Sequence, residues 1–555
     1  CFVQCVFVIL SCLSLGARSA AKRQFMEADG SSSSADDLRF PDGFQWGTAT
    51  ASYQIEGFPA DDGKAESIWD EFTHRNPSPI YDCSSADVTC GSYKRIAEDI
   101  QCLQDLGCNC YRFSIAWTRV LPDHGKSDDP TAAEPGEGLK YYVDLVTALK
   151  AAGIEPNVTL YHWDLPLALE ERDGWCNPKI VEYFRHFAAV VFNALEPVGV
   201  RMWCTFNEPW GMCFNGHCIG LHAPGRHSRP GVEPYLCARH LLLAHAYTVQ
   251  DFRTANRNGR IGIVLNTEWF RPANRDNLED CEARDRALDF WLHWFADPIF
   301  KTGDWPEGMK ARVPEDRLPP FSEEEKKLLL GSSDYFGINN YSTRLVAKNG
   351  VVNTFKHLFG SLRQACYMET GLSGLLRTGR EIGRGDHYLK DADIMITVRY
   401  KDVLTDIGWP VAPVGLGELC LHIQQRYAPQ GGIYITENGS AWPDRTPEEC
   451  ARDQKRIALQ QGYLRAVHAA IQKGADVRGF YLWTLLDNFE WAWGLTKRFG
   501  AFHVDFETQK RTAKPIVAWY KQLATNNVLR VDHAIGDIFP ERRTDLVPGQ
   551  DPLLS

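Results

Sequence analysis

Short runs rich in β-branched and aromatic residues recur along this chain, and helical stretches separate them. The runs are Phe44–Thr48 (FQWGT), Asn109–Ile115 (NCYRFSI), Pro156–His162 (PNVTLYH), Val200–Phe206 (VRMWCTF), Arg260–Asn266 (RIGIVLN), Tyr335–Asn339 (YFGIN), Gly432–Thr436 (GIYIT) and Val477–Trp483 (VRGFYLW). Residues 93–107 place Ile96, Ile100, Leu103 and Leu106 on one helical face and stop at Gly107. Residues 138–153 end likewise on Gly153, and 451–474 form a long amphipathic stretch ending on Gly474. Alternating β and α elements favour a parallel sheet. Eight such units predict an α/β fold, a closed (β/α)8 TIM barrel in a single domain. A doubly wound sheet is the alternative, but the first run lacks the GxGxxG-type turn of that fold.

A TIM barrel carries its functional groups at the C-terminal ends of its strands. Those ends present Gln54, Arg112, His162 with Trp163, Asn207 with Glu208, Asn339 with Tyr341, Glu437, and Trp483 with Glu490 and Trp491. Seven ends thus turn polar or aromatic residues toward one mouth. A lone Arg112 reads as an ion-pair partner and a lone His162 as a satisfied polar residue; the joint pattern carries the weight. An acid such as Glu437, run directly onto an apolar strand, costs free energy unless it is paired or used. Glu208 closes the fourth run and Glu437 the seventh, on opposite sides of the mouth. Two carboxylates across a cleft are the machinery of glycoside hydrolysis.

The motifs FQWGTATASYQIEG (44–57), YRFSIAWTRVLP (111–122), TLYHWDLP (159–166), TFNEPW (205–210), YITENG (434–439) and LWTLLDNFEWAWGLTKRFGAFHVDF (482–506) resemble glycoside hydrolase family 1, the β-glucosidase family, over about Phe40 to Leu523. The resemblance implies that Glu208 is the acid/base and Glu437 the nucleophile. A break at Asn438-Gly439 would then leave the Glu437 carboxylate at the barrel mouth. It implies Arg112 as the cation beside Glu437, Tyr341 as a hydroxyl donor to it, and Asn207 as the partner of the sugar 2-hydroxyl. Asn339 matches the family asparagine near the tyrosine. Gln54 and Glu490 would each grip two hydroxyls, His162 and Trp491 the 3-hydroxyl region, and Trp163 joins this substrate-binding set. Trp483 would stack under the sugar and Phe499 would close a wall. Retention of configuration implies carboxyl groups about 5–5.5 Å apart. The Glu490-Trp491 pair implies an unphosphorylated sugar. The expected reaction is hydrolysis of terminal β-D-glucosyl residues, with β-D-fucosyl or galactosyl as further substrates. Lys94 stands where the family has a histidine, Leu167 where a glutamine is frequent, and residues 343–408 match poorly, so the leaving group is not readable.

The net charge of −11 and pI near 5.8 argue against a nucleic-acid partner. The chain is 12% aromatic, with 17 Trp, which suits stacking on sugars as well as a large aromatic core. Phe2 to Leu15 is almost wholly apolar and small residues follow, so residues 1–20 read as a signal peptide, its start incomplete because Cys rather than Met comes first. Residues 21–38 read as a disordered linker, 39–525 as the barrel and 526–555 as a C-terminal tail. No later segment is apolar enough to span a membrane, and secretion is expected. That route permits disulfides. Cys83/Cys90 and Cys213/Cys218 each flank a short loop and are candidate bridges, whereas Cys110 and Cys204 lie in apolar runs and read as buried thiols. The cysteine spacing is no zinc pattern, and neither a metal nor a cofactor is expected. The NxS/T motifs at Asn157, Asn340 and Asn438 fall on strands or at the site, where glycans are not expected. A silent glycoside-binding or co-receptor protein on the same fold is the rival from another class; a thioglucosidase and a transglycosylase are nearer alternatives.

Overall fold

The computed structural model describes residues 37–348, 386–397 and 403–532. The expected signal peptide, nearly all of the linker and the end of the tail lie outside the described residues. Eight parallel strands close a barrel in chain order. They are β1 (Gln45–Ala49), β2 (Cys110–Ser114), β3 (Glu155–Tyr161), β4 (Met202–Asn207), β5 (Arg260–Asn266), β6 (Phe336–Asn339), β7 (Ile433–Asn438) and β8 (Val477–Trp483). The seam pairs Gly479–Trp483 of β8 with Gln45–Ala49 of β1. Around the barrel stand α1 (Ile96–Leu106), α2 (Leu139–Ala151), α3 (Ile180–Leu195), α4 (Glu233–Thr254), α5 (Leu292–Phe300), α6 (Val414–Tyr427), α7 (Lys455–Gln472) and α8 (Pro515–Asn526). Gly107 ends α1 at φ +74°, a left-handed value that favours glycine. The last long helix of the sequence reading starts later than 451. Asp453 accepts the Lys455 amide at 3.1 Å, and residues 447–450 form a separate turn.

The barrel is filled rather than hollow. Cys110, Met202, Tyr335, Tyr434 and Tyr481 form a buried cluster of their own, apart from the larger core. Gly47 makes room for it, because a Cβ there would lie 2.5 Å from the Tyr481 ring. This plug puts any ligand site at a strand-end mouth.

Three differences from the sequence reading have physical causes. First, Asp37–Arg39 pairs antiparallel with Val528–Arg530, so parts of the presumed linker and tail are folded; Leu529 is buried there. Second, the seventh run, expected to stop at Thr436, goes on to Asn438, so that β7 ends at the expected Asn438-Gly439 break. β7 continues through Glu437 and Asn438, opposite Asn339 and Leu482, across irregularities in the register. Asn438 donates to the Asn340 carbonyl at 2.8 Å, and Gln460 donates to the Asn438 side chain at 3.0 Å. Gly439 is demanded by close approach: a Cβ would stand 1.9 Å from the Trp483 carbonyl oxygen. Third, the candidate disulfides are not formed, and the thirteen cysteines of the described residues are free thiols. Cys90 donates to the Asp487 carbonyl at 3.0 Å and Cys218 to that of Pro230 at 3.6 Å. Cys213 lies 3.3 Å from Cys237 instead. A small sheet of Trp269–Pro272, Thr343–Ala347 and Met395–Thr397, unforeseen in the poorly matching region, stands outside the barrel.

Candidate active site

Arg112 points into the mouth from within β2 and is buried. Its Nη1 donates to Glu437 Oε1 at 2.6 Å and its Nη2 to Asn207 Oδ1 at 2.7 Å. Tyr341, two residues past β6, donates its hydroxyl to Glu437 Oε2 at 2.6 Å. Both oxygens of Glu437 are therefore held. Glu208 is held differently: Asn339 Nδ2 donates to its Oε1 at 2.7 Å and also to Asn207 Oδ1 at 3.1 Å. Thr436 fixes the Asn339 amide by donating to its Oδ1 at 2.7 Å.

Arginine can only donate, so the contact with Arg112 orients the Asn207 amide with Oδ1 toward it. Asn207 Nδ2 then faces His162 Nε2 at 3.0 Å. That nitrogen must accept, which leaves the proton of a neutral imidazole on Nδ1. Burial, aided by the Arg112 charge, holds His162 well below its ordinary value and keeps it neutral. Its Nδ1 has no partner, and neither do Gln54 Oε1 and Glu490 Oε2, although all three atoms are buried. Gln54 anchors its other end by donating to the Phe489 carbonyl at 2.8 Å. Buried polar atoms without partners are rare in folded proteins. Three of them, following β1, β3 and β8, suit a ligand rich in hydroxyls.

The aromatic residues frame this set. Trp483 and Trp491 lie 6.2 and 5.9 Å from the His162 ring, both nearly parallel to it. Phe499 stands 6.3 Å from Tyr341 and 5.8 Å from Trp409. Trp163 gives its indole N–H to the Asn207 carbonyl at 2.9 Å and packs 4.6 Å from Trp491. Two residues escaped the sequence reading. Asn266 ends β5 in register with Asn339 and so shares its face, and its Oδ1 is buried without a partner. It supplies the strand end for which no residue had been named. Trp409, 5.0 Å from Tyr341, lies just past the poorly matching stretch.

Electrostatics separate the carboxyl groups. Burial, then the Glu437 charge, pushes Glu208 up to about 8; the Asn339 bond and Arg112 oppose this weakly. Burial also raises Glu437, but Arg112 and two hydrogen-bond donors work against it. The first proton to leave the pair therefore comes from Glu437. Glu490 is pushed up to about 8 by burial and the Glu437 charge. Among the described residues no cluster of His, Cys, Asp and Glu could hold a metal ion.

A filled barrel with a protonated and an ionised carboxyl group at one mouth, beside unpaired hydroxyl-binding atoms, has the chemistry of an O-glycosyl hydrolase. The model of "Glycosyl hydrolase family 1" matches residues 36–529, and the chain belongs to that family, as a β-glucosidase-like enzyme. Beta-glucosidase 6 of Oryza sativa subsp. japonica is 40% identical over 504 residues, covering 87% of this chain and 90% of that protein. Beta-glucosidase 42 of Arabidopsis thaliana is 38% identical over 490 residues, covering 87% and 93%. The family 1 β-glucosidase of Thermotoga maritima superposes with a TM-score of 0.77 at 34% identity, covering 90% of this chain and all of that one, and has been solved with deoxynojirimycin. A mutant rice β-glucosidase in a covalent complex with Glc superposes with a TM-score of 0.76 at 37% identity, covering 87% of this chain and 98% of that one.

Proposed function

We propose that this enzyme is a retaining β-glycosidase that removes terminal, unphosphorylated β-D-glucosyl residues by double displacement. The observation that carries this reading is the unequal clothing of its two carboxyl groups. Glu437, ionised between Arg112 and Tyr341, attacks the anomeric carbon and forms a glycosyl ester. Glu208 carries its proton on Oε2, because Oε1 accepts from Asn339, and gives that proton to the departing glycosidic oxygen. Once the ester has formed, the Glu437 charge is gone, which lowers Glu208 and readies it as the base for an incoming water. The covalent Glc complex of the rice relative supports the same course here. Asn207, His162, Gln54, Glu490 and Trp483 hold the sugar. The negative Glu437 and the nearby Glu490 disfavour a phosphorylated one. Because both carboxyl groups and their partners are in place, the catalytic reading is preferred to a silent binding protein. The apolar run Phe2 to Leu15 supports export of the enzyme.

The test offers aryl β-glucoside, β-galactoside, β-fucoside and β-mannoside to the purified enzyme and follows the first product by proton NMR. Turnover of the β-glucoside and β-fucoside with initial release of the β-anomer is expected. An inert enzyme, or an initial α-anomer, overturns the reading.

A further inference from the structure

The helical turn Met212–Gly216 follows Glu208 by one short turn, Pro209–Gly211. Cys213 on it faces Cys237 on α4, with sulfurs 3.3 Å apart and neither residue exposed. In a disulfide the separation is about 2 Å, so a shift of little over an ångström joins them. Neither candidate bridge of the sequence reading has this geometry: Cys90 is turned to the Asp487 carbonyl and Cys218 to that of Pro230. His217 completes the cluster. Its Nδ1 meets the Met212 carbonyl at 3.2 Å and must donate to it, which leaves the lone pair on Nε2. Imidazole and Cys237 thiol each favour the other's charged form.

We infer that Cys213 and Cys237 are a cross-linking site, at which a disulfide ties the turn behind Glu208 to α4. The co-reactant is a low-molecular-weight disulfide such as oxidised glutathione. The Cys237 thiolate attacks one of its sulfurs, forms a mixed disulfide and releases one thiolate. The Cys213 thiolate then attacks the Cys237 sulfur, closes the bridge and releases the second thiolate. The two protons lost by the cysteines end on the two released thiols, and in the packed pair His217 Nε2 is the base at hand to carry the second. Burial raises both thiols, Cys237 well above its ordinary value. The first exchange therefore belongs to folding, before α4 seals the pair, and the second to the packed pair itself. The bridge spans two segments that meet only in the fold. It resists the separation of the Glu208 turn from α4, so heat inactivation is what it slows.

The full chain is produced in an oxidising and in a reducing host, alkylated without reduction, digested with trypsin and mapped by mass spectrometry. Oxidising production is expected to link peptide 202–226 to peptide 227–239, with fragment ions assigning the bond to Cys213 rather than Cys204 or Cys218. The linked enzyme should lose activity at 50 °C several-fold more slowly than the reduced one. Dithiothreitol should abolish that difference in the wild type and have no effect on Cys213→Ala. Alkylation of both Cys213 and Cys237 in active enzyme from the oxidising host overturns the proposal, as does a bond from Cys218. Because the mapping needs only the wild type, a variant that fails to fold leaves the test intact.

Discussion

The ends of β4 and β7 present the same side chain to the same mouth and treat it in opposite ways. Glu437 sits inside a strand, with a guanidinium on one oxygen and a phenol on the other. Glu208 sits at φ +50°, in the left-handed region, with a single amide donor. The β7 end is therefore built to keep a charge, and the β4 end to keep a proton. Such a backbone conformation costs a non-glycine residue on the order of 1–2 kcal/mol, and it is met here at a residue proposed to be catalytic. Glu437, the more deeply buried of the two acids, is the one that keeps the charge, so donors and mutual charge outweigh depth.

Changes that erase one side of this contrast should have the largest effect. Glu437→Gln removes the proposed nucleophile and should lower kcat on an aryl β-glucoside by about four orders of magnitude or more; loss of less than tenfold would contradict the assignment. Glu208→Gln should cost about 10²- to 10⁴-fold with alkyl glucosides, whose leaving group needs a proton. Glycosylation by dinitrophenyl glucoside should be nearly spared, as a pre-steady-state burst would show, and an equal loss with both leaving groups would argue against Glu208 as the acid. Tyr341→Phe strips one donor from Glu437 and should lower kcat by about a hundredfold. It should also raise the acidic limb of the kcat/KM profile, because the lost bond had been lowering Glu437; an unmoved limb would place Tyr341 outside the charge balance.

The smallest effect concerns stability. Glu208 is held at about 8 when folded, above the ordinary carboxyl value that it regains on unfolding. The folded state thus binds the extra proton, and the associated stability is present at pH 4 and is lost as pH rises toward 8. Glu208→Gln has no such proton, so its Tm advantage over the wild type should widen between pH 5 and pH 8. Calorimetry showing a constant gap would mean that Glu208 is not held neutral.

The bond between this contrast and the sequence is uneven. Arg260–Asn266 and Val477–Trp483 were readable to the residue, because each is an apolar run with ends marked by a change of composition. Both glutamates were readable because an acid directly after such a run is costly without a partner. What Trp163 bonds to was not readable: the identity of an indole says nothing about who accepts its N–H, and the fold brought it the Asn207 carbonyl. Asn266 was missed because a polar residue ending one strand gains meaning only from its register with Asn339. The cysteines failed for a related reason. Closeness in sequence suggested 213 with 218, but a helical turn and α4 bring 213 to 237.

What the amino-acid order determined by itself was local: the alternation of strand and helix, the count of eight, and the positions at which acids, amides and aromatics meet strand ends. Periodicity and the cost of burying charge act over a few residues, so they can be read along the chain. The protonation of Glu208, the ionisation of Glu437 and the tautomer of His162 were decided only by the tertiary structure. Each depends on partners tens to hundreds of positions away, and the Coulomb and hydrogen-bond energies that set them fall off over a few ångströms of space, whatever the distance along the chain.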